Sequence, residues 1–361
     1  MSLKAEEIKR YARQIRMPEV GEQGQLKLKN SAVLVIGLGG LGSPAALYLA
    51  AAGVGRLGLI DYDVVDVSNM HRQVLYSTDQ IQKSKAEGAK ERLSALNPEI
   101  KLEVYNEKLS IENALTLFVK YDLILDGADN FATRYLSNDA AFFAKKTLIS
   151  ASILGFEGQL SVFSQKGFCY RCLYPEPPPS GSVPSCAEAG VLGVLPGLFG
   201  VLQATEALKI ILSLGETLES KILSANTLTM DFMKLEAFKN PECPLCGANP
   251  KIKSLREEHF VCSTDVRIRE LTPEDFISWQ KQKTFQLLDV REAEEFSEGK
   301  LSYTHHIPLK ELENKYQALS QETPIVVYCR AGGRSQKACE FLQTKGFQVW
   351  NLEGGIQKNS K

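Results

Sequence analysis

A glycine pattern between two hydrophobic runs places the first constraint on the fold. Gly37, Gly39 and Gly42 follow the β-branched run SAVLVIG and open the small-residue stretch GLGGLGSPAALYLAAAG, which halts at Gly53, and LGLID then ends on Asp61. A strand, a tight glycine turn, a helix and a second strand ending in a carboxylate make a β-α-β unit. Glycines in such a turn let backbone N–H groups approach phosphates, and the helix N-terminus favours negative charge. A carboxylate about 20 residues further on can hold a ribose hydroxyl. Taken alone, the pattern suits a nicotinamide-dependent dehydrogenase as well as any other nucleotide binder, or a tight turn without a ligand.

The residues that follow are unlike a dehydrogenase. DYDVVDVSNMHRQ places Asn69, Arg72 and Gln73 beyond the acidic strand end, Lys85 comes thirteen residues after Arg72, and DLILDGADN closes on Asp129 and Asn130. Two cations suit a triphosphate, and a carboxylate at the C-terminal end of a strand can hold magnesium. No G-x-x-x-x-G-K-[ST] occurs, which excludes a P-loop. Further strands are expected at 122–126, 147–150 and 159–163, separated by helices at 83–96 and 132–144. Strands alternating with helices give an α/β fold with a doubly wound, Rossmann-like, mainly parallel sheet. That unit closes near Cys246, giving a domain at 1–249.

Residues 250–264, PKIKSLREEHFVCST, lose the periodicity and gain charge, as a linker does. Strands at 266–271, 286–290, 324–328 and 348–352 and a helix at 335–345 then make a smaller α/β domain over 265–361. A formal net charge of -1 offers no basic field for nucleic acid or an anionic membrane, so neither is expected as a partner. The opening residues MSLKAEEIKRYARQIR lack the apolar core of a signal peptide, and a cytoplasmic location is expected. Residues 191–202 are apolar throughout but fall short of the roughly 20 residues that cross a bilayer. Gln203, Thr205, Glu206 and Lys209 follow at once, so a buried helix or a subunit interface is expected there.

The eight cysteines sort by spacing. Cys169 and Cys172 form one C-x-x-C, Cys243 and Cys246 another. Two such knuckles suit a closed, structural four-thiolate zinc site, the alternative being a redox pair. Cys339 reads as a small core residue in a helix, and Cys262, in the linker, has no assigned role. Cys186 ends the proline-rich loop at 175–185 and precedes AEAGVLGV, so a helix N-terminus would favour its thiolate. Cys329 follows the strand IVVY and opens the turn CRAGGR before a helix. Successive N–H groups in such a loop make an anion nest, and Arg330 and Arg334 add positive charge. Cysteine phosphatases and sulfurtransferases both use that device. A phosphatase needs C-x5-R, whereas four residues separate Cys329 from Arg334, and the tighter loop suits a single sulfur atom.

In combination, RYARQIRMPEVGEQGQ, GLGGLG, DYDVVDVSNMHRQ, the lysine in QKSKAE, DGADN, CYRC and CPLC resemble the MoeB/ThiF-type activating enzymes, relatives of ubiquitin-activating enzymes, over about residues 8–246. The resemblance implies that ATP and Mg2+ adenylate the C-terminal glycine of a small β-grasp carrier protein. Gly40, Asp61, Ser68, Asn69, Arg72, Lys85, Asp129 and Asn130 match ATP-contacting positions, with Gly39 beside them in the glycine turn. Arg13 matches an arginine that reaches the neighbouring site of a homodimer, and Cys186 a cysteine that can form a thioester with the carrier. Residues 265–361 resemble a single rhodanese domain in LLDVREAEEF, HIPL, VVYCRAGGRS and NLEGG, which implies a persulfide on Cys329. In GKLSYTHHIPL the histidine usual after the glycine is replaced by Lys300.

The fused arrangement resembles adenylyltransferase-sulfurtransferases that supply sulfur for molybdopterin, thiamin or tRNA thiolation. It implies a Gly-Gly-ended sulfur carrier as partner and a donor such as a cysteine desulfurase or thiosulfate. Arg13, Arg72, Asp129, Cys186, Cys329 and Arg334 are the expected catalytic set, with ATP, Mg2+ and structural Zn2+ as cofactors. A rival reading is a carrier-binding scaffold whose second domain is inactive.

Overall fold

Every residue of the strand Ala32–Ile36 (β1) is buried, because both faces of its sheet are covered. Successive side chains alternate between the two faces. Val33 and Val35 pack with the helices Gly42–Ala52, Lys85–Leu96 and Val194–Leu212. Leu34 and Ile36 pack on the other side with the helices Ala114–Phe118 and Phe131–Phe143. The computed structural model describes residues 2–178, 190–256, 268–282, 285–302, 304–321 and 323–359, and these form two units, one up to residue 256 and one from residue 268.

The first unit adds Arg56–Ile60 (β2), Lys101–Tyr105 (β3), Leu123–Asp126 (β4), Thr147–Leu154 (β5), Glu157–Phe163 (β6), Lys221–Asn226 (β7) and Asp231–Glu236 (β8). The order is β3-β2-β1-β4-β5-β6-β7-β8. Pairing is parallel from β3 to β5 and antiparallel from β5 to β8. Strand order reverses between β1 and β4, where Ile36 lies opposite Asp126. The glycine turn after β1 and the DGADN turn after β4 therefore flank one crevice, the position at which doubly wound sheets bind ligands.

The apolar stretch at 191–202 belongs to a longer helix, Val194–Leu212, whose 19 residues are long and apolar enough to cross a membrane by length and composition. Length therefore does not exclude a span, contrary to expectation. Its packing is that of a core helix. Leu195, Phe199, Ala204 and Ala207 are buried, and the Gln203 amide donates to the carbonyls of Asp126 (2.7 Å) and Ile149 (3.1 Å). The Glu206 carboxylate accepts from Leu218 N–H at 2.8 Å. Such partners let polar residues continue a helix that lies against the sheet.

The first residues of the segment expected as a linker still pack on the first unit. Lys251 and Ile252 both donate N–H to the Pro244 carbonyl at 2.8 Å, and Ile252 is buried beside the clustered cysteines. The second unit is a parallel sheet of Arg269–Leu271 (β9), Gln286–Asp289 (β10), Thr304–His306 (β11), Ile325–Tyr328 (β12) and Val349–Leu352 (β13), ordered β11-β10-β12-β13-β9. Central and wholly buried, β12 delivers Cys329 to the start of the helix Gly333–Thr344.

Candidate functional site

Gly37 adopts a positive φ of 76°, and a Cβ on Gly42 would run into the Gly37 carbonyl, so the turn after β1 needs both glycines. Asp61, at the end of β2, braces that turn. Its Oδ2 accepts from Leu38 N–H at 2.7 Å and its Oδ1 from Asp63 N–H at 2.8 Å. Burial pushes the Asp61 carboxyl above its usual range, against the pull of Lys85 and those two N–H groups. Lys85 is itself buried, and its Nζ lies 3.0 Å from the Asp63 carboxylate. Asp63 escaped the sequence reading, although it lies within DYDVVD.

Three of the expected residues meet in one cluster. Arg72 donates from Nη2 to Asn69 Oδ1 at 2.7 Å and from Nη1 to the Ser68 carbonyl at 3.2 Å. The Ser68 hydroxyl is turned to Asp66 at 2.6 Å. Gly40 lies against Arg72 and Pro196, and Gly39 beside the buried Gln73. Across the crevice, Asp129 is exposed and has no side-chain partner among the described residues, which leaves its carboxylate open to a divalent cation. Asn130 caps the helix Phe131–Phe143, its Oδ1 accepting from Thr133 N–H at 2.9 Å, which fixes the side chain and leaves its amide NH2 for a ligand.

Beneath this turn lies a support that sequence reasoning missed. Asp126 is fully buried and accepts from Ala128 N–H and the Ser150 hydroxyl, each at 3.0 Å. Burial raises its carboxyl, with Arg134 opposing, and the Arg134 guanidinium donates to the Ala128 carbonyl at 3.2 Å. Arg13 stands apart. Its neighbours are pinned, Tyr11 OH accepting from Asn97 at 2.8 Å and Gln14 donating to Gln25 at 2.8 Å, but Arg13 is exposed and makes no side-chain hydrogen bond or ion pair among the described residues.

The two C-x-x-C knuckles converge. Cys169 Sγ lies 3.8 Å from Cys172, 3.6 Å from Cys243 and 3.4 Å from Cys246, and all four sulfurs fall within 4.8 Å of one another. Thiolates about 2.3 Å from a tetrahedral zinc are spaced at about 3.8 Å, so the donor set fits that ion. Leu245, Ile252, Phe142 and Phe143 enclose the cluster. Arg171, inside the first knuckle and fully buried, pairs with Asp139 at 2.8 Å.

In the second unit Cys329 is buried at the C-terminal end of β12. Gly332 N–H donates to its Sγ at 3.1 Å, and the Ser335 hydroxyl lies 3.4 Å from Sγ and 2.9 Å from the Gly332 carbonyl. Burial alone would raise the Cys329 thiol. The Ser335 hydroxyl and the N–H groups of Ser335, Gly332 and Ala331 outweigh it and hold the thiol below its usual range. Arg334, expected to add charge at the sulfur, is paired with Glu295. Lys300, standing in place of a histidine, lies 4.7 Å from the centroid of the Phe296 ring, which stacks on His306 at 4.0 Å. Cys339 is a core residue, burial raising its thiol, whereas Cys186 and Cys262 lie outside the described residues.

A match to the ThiF family spans residues 11–245, well over half of the chain. The chain belongs to the ThiF family. A rhodanese-like domain follows in this ThiF-family chain over residues 272–361. It is 41% identical to the adenylyltransferase and sulfurtransferase MOCS3 of Drosophila virilis, over 98% of this chain and 84% of that protein. It is 49% identical to a sulfur carrier protein adenylyltransferase of Thermus thermophilus, over 71% of this chain and 97% of that one. Among solved structures, E. coli MccB with ATP shares the fold at a TM-score of 0.57 and 24% identity, over 66% of this chain and 74% of MccB.

Proposed function

We propose that the first unit uses ATP to adenylate the C-terminal glycine of a small β-grasp sulfur carrier ending in Gly-Gly, and that Cys329 then delivers sulfur to give a C-terminal thiocarboxylate. The observation that carries this reading is the pairing, in one chain, of a switch-point crevice bearing Arg72, Asn69, Lys85 and Asp129 with a loop that holds the Cys329 sulfur on a backbone N–H group. The MOCS3 and Thermus relatives support it by their names. The boundaries 1–249, 250–264 and 265–361 are proposed for the adenylating domain, linker and sulfurtransferase domain.

The carrier carboxylate attacks the α-phosphorus of ATP, and pyrophosphate leaves with the electron pair of the broken P–O bond. Arg72, Lys85 and a partner subunit's copy of Arg13 offset the charge that builds on it. Asn69 aims Arg72, and Asp61 holds the glycine turn against the nucleotide. Asp129 would hold Mg2+, with Asn130 beside it, and the ion when bound neutralises phosphate charge. Zinc at Cys169, Cys172, Cys243 and Cys246 is structural.

The Cys329 persulfide attacks the acyl adenylate and expels AMP, forming an acyl disulfide. A thiol, assigned to Cys186, attacks the Cys329 sulfur of that disulfide, releasing the thiocarboxylate and leaving a Cys186–Cys329 disulfide for an external thiol reductant. The enzyme is assigned as a cytoplasmic homodimer, serving molybdopterin, thiamin or tRNA thiolation, with a cysteine desulfurase or thiosulfate as donor.

The test is Cys329→Ala. Carrier-dependent pyrophosphate exchange should stay near the unmodified rate, while persulfide and thiocarboxylate, both read by mass spectrometry, disappear unless free sulfide is supplied. Unchanged thiocarboxylate formation from a protein donor without free sulfide would overturn the assignment of Cys329.

A further inference from the structure

The guanidinium fork of Arg334 is closed on a carboxylate. Nη1 donates to Glu295 Oε2 at 2.6 Å and Nη2 to Glu295 Oε1 at 2.7 Å, a bidentate pair that takes both terminal nitrogens. Glu292, on the same segment, lies 3.3 Å from Lys310. Of the two loop arginines, Arg330 is exposed and has no ion pair among the described residues. The Cys329 sulfur meanwhile rests on backbone N–H groups and the Ser335 hydroxyl.

Sulfur donors differ in what they ask of such a loop. Thiosulfate is a dianion with a three-oxygen end, which a guanidinium fork recognises well. A persulfide held on a donor thiol presents one sulfur atom and needs only the N–H cradle. We propose that Glu295 is the specificity-determining residue of the sulfurtransferase site: by occupying the Arg334 fork it disfavours small dianionic donors and leaves the loop suited to a thiol-borne persulfide. The proposal rests on the reading of Cys329 as the sulfur carrier. In both cases the Cys329 thiolate attacks the terminal sulfur of the donor and a sulfur–sulfur bond breaks. The electron pair leaves with sulfite from thiosulfate, or with a thiolate from a persulfide, and no oxidant or reductant is consumed.

Full-length protein, unmodified and as Glu295→Gln and Glu295→Asp, is loaded with sulfur from thiosulfate and, separately, from glutathione persulfide, and persulfide on Cys329 is timed by mass spectrometry. Glu295→Gln removes the charge and should raise the thiosulfate rate relative to the persulfide rate by about tenfold. Glu295→Asp keeps the charge and should hold the ratio near that of the unmodified protein. A merely structural role would slow both donors together, and an unchanged or lower ratio in Glu295→Gln overturns the proposal. Loading by neither donor would overturn the sulfur-carrier reading as well. Should Glu295→Gln fail to fold, the unmodified protein decides through salt. Thiosulfate loading that is flat or rises with ionic strength agrees with an occupied fork, and a steep fall means an open cationic clamp and overturns it.

Discussion

Ionising a buried thiol is unfavourable, and at Cys329 the compensation comes from a hydroxyl and three N–H groups before any cation. The backbone donors belong to the turn and cannot be removed singly, but the Ser335 hydroxyl can. Ser335→Ala takes away a hydrogen bond to the charged sulfur and should raise the Cys329 thiol. Less thiolate is then present at neutral pH, so the pH profile of alkylation should move to the alkaline side. At neutral pH, alkylation should slow about tenfold, the typical worth of one hydrogen bond to a charged group. An unmoved profile would show that the 3.4 Å contact to Ser335 does not act on the thiolate. The residue scale is also where sequence reasoning lost most. Lys85 finds Asp63 across 22 positions and Arg334 finds Glu295 across 39, and no local spacing specifies such partners.

Among the elements, the cysteine knuckles form a small core of their own with Leu245 and Ile252, set against Phe142 and Phe143 of the helix Phe131–Phe143. A bound metal here would replace hydrogen bonds between crowded thiols by bonds to one ion. Purified protein should carry about one zinc per chain. Cys243→Ser should lose the metal and lower the melting temperature of the first unit by about 10 °C, the shift about 3 kcal/mol produces in a unit of this size, with the second unit's transition unmoved. Full zinc retention would refute the assignment. The strands read from sequence, β1, β2, β4 and β12 among them, are apolar runs whose burial leaves few alternatives. Those missed have no such signal. β3 is exposed at Lys101 and half-buried beyond it, every residue of β8 is exposed, and β11 is three residues long. Pairing with neighbouring strands makes them strands. Part of the candidate site was more legible than these edges because Gly37, Asp61, Asp129 and Cys329 follow internal strands closely, so a motif in the sequence becomes a turn at a strand end.

For the whole molecule the open question is whether the crevice is complete within one chain. Asp129 and Arg72 stand at the crevice, while Arg13, on the short helix Ala12–Ile15, is exposed and without a partner among the described residues. An exposed cation without an ion pair suits the proposed role of Arg13 in a partner subunit's site, which the proposed homodimer would provide. Arg13→Ala and Asp129→Ala should each abolish carrier-dependent pyrophosphate exchange as homodimers. In a heterodimer of the two, if Arg13 crosses, one site takes Asp129 from the first chain and Arg13 from the second and is intact, while the other site carries both changes. Equal mixing with full subunit exchange makes half of the dimers mixed, each with one working site, so about a quarter of the unmodified rate should return. Subunit exchange is checked independently by native mass spectrometry with one variant isotopically labelled. Exchange without recovery would place Arg13 in its own subunit's site or outside the chemistry, and the charge on the leaving pyrophosphate would then fall to Arg72 and Lys85 alone.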